Sequence, residues 1–209
     1  MRKKTSSLVT LILCFFIFTI LILTVDRGTI GVTNKEVGLI SINKIFFKES
    51  INDTCKTLSN IFLYIAILLI IAIFVYTLIM FCKYKKMLKD SIIFFMGIIV
   101  VMIVWIIFDK LLIINYRPIL IDGKLEGSYP STHSLIITYV YFTGGYWLVN
   151  QIKKYKELIF GLSIILVILG SCFRLLSGYH WFTDIVGGVL LGLVIFNAYV
   201  AINEIKKEE

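Results

Sequence analysis

Proline and histidine are nearly missing from this chain, whose 209 residues hold two of each. Charge is scarce as well, with 16% Asp, Glu, Lys and Arg against 59% hydrophobic residues and a mean hydropathy of +0.94. So little charge excludes a soluble domain of this length. Cys14, Cys82 and Cys172 fall within or at the ends of apolar runs, and only Cys55 sits in a long loop. No disulfide framework is implied, and buried packing is the default for the other three. The first apolar run lacks a signal-peptide ending. Thr24–Thr29 reads TVDRGT, with no small-residue cleavage site, and Leu8–Val25 exceeds the ~7 to 15 residues of a signal core.

What is present is a series of long apolar runs. They predict an all-α polytopic membrane protein with spans at about 8–25, 61–82, 91–108, 131–149, 158–175 and 185–202, residues 1–209 forming one six-span domain. The fourth span is more polar, and its threonines, tyrosines and Gly144-Gly145 suit packing inside a bundle. Gly188 and Gly192, four apart in the last span, predict a close helix contact. The net charge of +8 comes from cations that flank the spans, a pattern of membrane orientation and not of nucleic-acid binding. The N-terminus, the turns at 83–89 and 153–156 and the tail carry 3, 4, 3 and 2 Lys plus Arg, which predicts that side, with both termini, to be cytoplasmic. Residues 26–60 then form an external loop, nearly neutral, in which Val37–Phe47 has enough apolar character to lie along the interface.

That topology places every unusual polar cluster on the external face. The first is KLLIINYRP, Lys110–Pro118. If it stays helical until Pro118, Lys110 and Arg117 project from one face about two turns apart. The second is YPSTH, Tyr129–His133, where Pro130 precedes a helix start whose free N–H groups hold an anion. The third is RLLSGYHWFTD, Arg174–Asp184. A helix beginning near His180 would set His180 and Asp184 four apart on one face, where a carboxylate on one ring nitrogen leaves the other free to attack. Taken singly, these residues also read as interfacial anchors, with Arg174 snorkelling and Trp181 in the aromatic belt. Yet both histidines and both prolines of the chain, His133, His180, Pro118 and Pro130, lie in these pieces, and together they read as a site.

Lys110, Arg117, Arg174 and a helix N-terminus converging on one pocket make a receptor for a multiply charged anion, and phosphate is the natural ligand. Two histidines can divide the chemistry, one attacking phosphorus and one protonating the departing oxygen. A metal held by His133, His180 and Asp184 is opposed by the three neighbouring cations.

These residues resemble the type 2 phosphatidic acid phosphatases, integral-membrane relatives of glucose-6-phosphatase and the vanadium haloperoxidases. Lys110, Arg117 and Pro118 match the family's lysine, six residues, Arg-Pro. Pro130, Ser131 and His133 match its Pro-Ser-Gly-His. Arg174, His180 and Asp184 match its arginine, five residues, histidine, three residues, aspartate. Thr132 stands where the family usually has glycine, and Phe173 precedes Arg174 where serine is frequent. The resemblance implies a nucleophilic His180 forming a phosphohistidine and His133 as the acid. It also implies Asp184 orienting His180, and Lys110, Arg117, Ser131, Thr132 and Arg174 around the phosphoryl oxygens, with no metal and no other cofactor. The expected activity is hydrolysis of a lipid phosphate at the outer leaflet of a bacterial plasma membrane. Undecaprenyl pyrophosphate, phosphatidylglycerol phosphate and phosphatidic acid are the candidates, and no obligate protein partner is implied. A phosphotransferase using the same site, or a non-catalytic phosphate-lipid receptor, are the alternatives.

Overall fold

The computed structural model describes residues 2–31, 33–86 and 88–208. Its long helices are α1 (Arg2–Thr24), α3 (Asp53–Tyr84), α4 (Lys89–Ile106), α5 (Thr132–Gln151), α6 (Lys156–Leu176) and α7 (Phe182–Glu208). Between α1 and α3 lie a two-residue antiparallel pair, Gly28–Thr29 against Glu36–Val37, and a short helix α2 (Ile40–Phe46). Five of the long helices are apolar and long enough to cross a membrane, at Ser6–Thr24, Asp53–Tyr84, Lys89–Leu111, Lys153–Leu176 and Phe182–Glu204. They turn large apolar side chains outward, such as Ile65, Leu68 and Phe81 of α3 and Leu158, Ile165 and Ile168 of α6. A multi-pass membrane protein needs that surface, because lipid replaces water around it.

The remaining long helix, α5, is the axis of the bundle. It packs against α7, α6, α3 and α4, and most of its residues from His133 to Trp147 are buried. The expected interior character of this segment is met, which is why its polar content excludes it from the lipid-compatible set. Gly188 and Gly192 of α7 let it cross α5 closely. A Cβ at Gly188 would lie 2.5 Å from the Ser131 carbonyl oxygen, and one at Gly192 2.7 Å from the Thr138 Cβ.

Three expectations are corrected. Cys14, Cys82 and Cys172, expected to be buried, are exposed on their helices. The helix read as starting near Ile61 starts eight residues earlier, because the Asn52 side chain accepts from the Cys55 N–H (3.0 Å) and Asp53 occupies the first turn. At 32 residues α3 is about 48 Å long, against a hydrocarbon core of ~30 Å, so its polar first turns can stand clear of lipid. Nor does α4 continue to Pro118. It ends in a π-helical turn, Ile107–Leu111, after which Tyr116 pairs with Gly127 in a hairpin-like return. Residues 37–47 lie partly on protein. Phe46 stacks on Phe182 (4.8 Å between centroids) and Phe47 on Trp181 (5.6 Å), while Ile42 and Ile45 stay exposed.

The α5–α7 crossing yields a stability prediction. Gly188→Leu forces overpacking against the Ser131 backbone and should lower stability by about 1–3 kcal/mol, read as a fall in the Tm of the detergent-solubilised protein. An unchanged Tm would contradict the crossing.

Candidate active site

The site gathers at one end of the bundle, where α4, α6 and α1 end and α5, α7 and α3 begin. After α6, Gly178 takes a left-handed conformation (φ +80°), and the Ser50 carbonyl oxygen would be only 3.0 Å from a Cβ there. This turn delivers Tyr179 and His180 into the protein before α7 starts at Phe182. His180 therefore precedes the helix, and the expected helical face is replaced by a turn.

His180 is 5% exposed. Its Nε2 lies 3.2 Å from Arg117 Nη1 and 3.3 Å from Arg174 Nη2, and its Nδ1 lies 3.1 Å from the Ser128 carbonyl oxygen and 3.5 Å from Asp184 Oδ2. Guanidinium groups can only donate and a carbonyl oxygen can only accept. The network thus assigns one tautomer, in which Nδ1–H donates to Ser128 and the Nε2 lone pair faces both arginines. Burial, then the charges of Arg117 and Arg174, then His133, hold its pKa well below the usual histidine value of 6.5, so the ring is neutral at pH 7.

Asp184 is fully buried and ties the motifs together. Its Oδ2 accepts from the Trp181 N–H (3.0 Å), closing the first turn of α7, and its Oδ1 accepts from Asn115 Nδ2 (3.2 Å). Its backbone carbonyl accepts from the Ser131 N–H at 2.9 Å. Ser131 caps α5, its hydroxyl accepting from the Ser134 N–H at 3.4 Å, and is itself fully buried. Thr132 lines a narrow cleft together with Arg117, Ser128, Tyr129, Pro130 and His180.

His133, the second residue of α5, donates from Nε2 to the Ser59 carbonyl on α3 at 2.9 Å, which leaves Nδ1 as the nitrogen that gains or loses a proton when the ring titrates. Arg117 reaches the site through the backbone pairing of its N–H with the Glu126 carbonyl (3.0 Å), and its Nε pairs with Glu126 Oε2 at 3.2 Å. The Nε of Arg174 is buried without a hydrogen-bond partner among the described residues.

Lys110 lies in the π-helical turn after α4, 73% exposed, with its ammonium 2.8 Å from Asp109 Oδ2, and the helix expected to align it with Arg117 stops at Leu111. Among the described residues no three His, Cys, Asp or Glu side chains cluster as metal ligands. His180 Nε2 faces two cations instead.

Several contacts were not foreseen from sequence. Asn115 lies inside a recognised motif, and its side-chain amide was the available signal. Asn43 of α2, fully buried, accepts from the Thr183 N–H (3.1 Å) and donates to Thr183 Oγ1 (3.0 Å) and the Gly38 carbonyl (2.9 Å), serving as a cap for α7 from a distant segment. The Ser128 and Ser59 carbonyls are backbone groups and have no sequence signature.

Residues 112–207 match the family model of the PAP2 superfamily, so the resemblance drawn from the motifs is borne out. Phosphatidylglycerophosphatase B of Bacillus subtilis (strain 168) is 33% identical over 85 residues. The aligned stretch is 39% of this chain and 41% of that relative, less than half its length. The fold is similar to that of a crystal structure described as the first transmembrane PAP2 type phosphatidylglycerolphosphate phosphatase from Bacillus subtilis. The TM-score is 0.71 and the identity 19%, covering 94% of this chain and 96% of that one.

The tautomer is directly testable. Nitrogen-detected NMR of 15N-histidine-labelled protein should show His180 neutral, with its proton on Nδ1, at pH 6. A protonated ring, or a proton on Nε2, would contradict the assigned network.

Proposed function

We propose that this chain is a membrane lipid phosphatase working through a phosphohistidine on His180. The observation that carries the reading is the His180 Nε2 lone pair, held between two guanidinium groups by a backbone carbonyl on the opposite nitrogen. A phosphoryl group bound by Arg117 and Arg174 places phosphorus where that lone pair points. Nε2 then forms the N–P bond as the P–O bond to the lipid breaks. His133 enters this step as an imidazolium: its Nε2–H stays on the Ser59 carbonyl, its Nδ1–H passes to the departing oxygen, and the ring is left neutral. In the second step, water gives a proton back to His133 as it attacks phosphorus, the N–P bond breaks and phosphate leaves. The guanidinium groups and the N–H groups at the start of α5 stabilise the charge that builds on the phosphoryl oxygens. Ser131 and Asp184 hold the frame, Thr132 borders the cleft, and Lys110 adds positive potential at its rim. No step calls on a metal ion.

The relative named as a phosphatidylglycerophosphatase supports a lipid phosphate as substrate. So does the position of the site at the ends of apolar helices, where a head group arrives with its tails still in the bilayer. With α5 counted as the sixth span, both termini lie on the side of the basic turns, which supports a cytoplasmic N-terminus and a site facing outward from a bacterial plasma membrane. In that topology an impermeant thiol reagent should label Lys124→Cys in intact cells and spare Lys154→Cys. The reverse pattern would turn the site inward.

Phosphate release from lipid phosphates in detergent, with chelator present, should fall to background in His180→Ala. In His133→Ala it should fall about 10²–10⁴-fold on lipids, and much less on p-nitrophenyl phosphate, whose leaving group needs no proton. Undiminished turnover by His180→Ala would refute the mechanism, and equal losses by His133→Ala on both substrate types would refute its role as acid.

A further inference from the structure

The first turns of α3 meet the site at a helical period. The Asn52 N–H donates to the Ser177 carbonyl at 3.1 Å, Lys56 Nζ lies 5.3 Å from the Tyr179 ring centroid, and the Ser59 carbonyl accepts from His133 at 2.9 Å. Spacings of four and three residues put positions 52, 56 and 59 on one helix face. That face lies against the turn bearing His180, with Lys56 in the middle of it.

Lys56 shares its aromatic partner with both arginines of the site. Arg174 Cζ is 5.0 Å and Arg117 Cζ 5.9 Å from the Tyr179 centroid. Three cations thus surround one ring, whose negative face offsets part of their mutual repulsion. The carboxylates coupled to these cations include Glu126, paired with Arg117, the buried Asp184, which also feels Arg117, and Asp53, which acts on Lys56 from within α3. Arg117 and Arg174 also contact His180 Nε2, whereas Lys56 stands one ring further out, half-exposed, on the part of α3 that exceeds the bilayer core. A half-exposed ammonium keeps much of its hydration, and its flexible stem and three donors suit an anion whose position varies between ligands.

We propose that Lys56 is a specificity-determining residue that binds a second anionic group of the substrate, beside the phosphoryl group seated at His180. The site is then matched to head groups carrying two phosphates, a diphosphate or a phosphodiester with a terminal phosphate, over a lone phosphomonoester. This rests on the lipid-phosphatase reading and narrows its substrate class.

The test is kcat/KM of the full-length protein in detergent on phosphatidic acid, phosphatidylglycerol phosphate and undecaprenyl pyrophosphate, for wild type, Lys56→Gln and Lys56→Arg. The ratio of each two-phosphate lipid to phosphatidic acid should fall about tenfold in Lys56→Gln, the size expected for one charge-assisted hydrogen bond, and should recover in Lys56→Arg. Whichever of the two ratios falls more names the head group. Inhibition by inorganic pyrophosphate should weaken in Lys56→Gln more than inhibition by inorganic phosphate. Ratios that stay constant, including an equal loss on all three lipids, would overturn the proposal. A wild type inactive on every lipid would instead remove the phosphatase reading, and this proposal with it.

Discussion

The buried side chain of Asp184 is the contact on which the rest of the site depends. It joins the returning loop through Asn115, the start of α7 through the Trp181 N–H, and the start of α5 through its own carbonyl and Ser131, while its Oδ2 faces His180. Each hydrogen bond contributes about 0.5–1.5 kcal/mol net, and leaving a buried partner unpaired costs about 1–3 kcal/mol. Because the same residue holds three segments that are distant in sequence, the fold of the bundle end and the geometry of the histidine are one constraint.

His180 gains its chemical character from that constraint. A buried imidazole beside two guanidinium groups cannot readily take up a second proton, and the Ser128 carbonyl fixes which nitrogen carries the one hydrogen that remains. The lone pair proposed to attack and the two guanidinium groups proposed to bind its target therefore meet at one atom. Preorganisation of this kind is the largest lever on charge-building transition states. The closely packed α5–α7 crossing, set by Gly188 and Gly192, keeps His133 and His180 at the same end of the bundle.

Much of this was legible in the sequence. Hydropathy located the long helices of the described residues, and the polarity of residues 131–149 pointed to an interior one, which α5 is. The motifs placed Arg117, Arg174, His180 and Asp184 together because their spacings are local and each piece folds as a unit. The helix expected to align Lys110 with Arg117 ends early for a tertiary reason. The backbone between Leu111 and Gly127 is held by Asn115, Tyr116 and Arg117 pairing across the chain, and such pairing overrides a helical reading that only Pro118 was expected to end. The early start of α3 was hidden because DTCKTLSN is too polar for a hydropathy window, although Asn52 followed by Asp53 is an ordinary helix-start signal. The Asn43 cap on α7 joins residues 140 positions apart, a distance at which local pattern carries no information.

The central claim is that His180 Nε2 is the nucleophile that attacks phosphorus. Rapid quenching of wild-type protein mixed with lipid carrying a labelled terminal phosphate, followed by peptide mapping, tests it most directly. The account predicts an acid-labile, base-stable adduct on His180, absent from His180→Ala. An adduct on His133, or turnover with no protein-bound phosphate at any quench time, would contradict it.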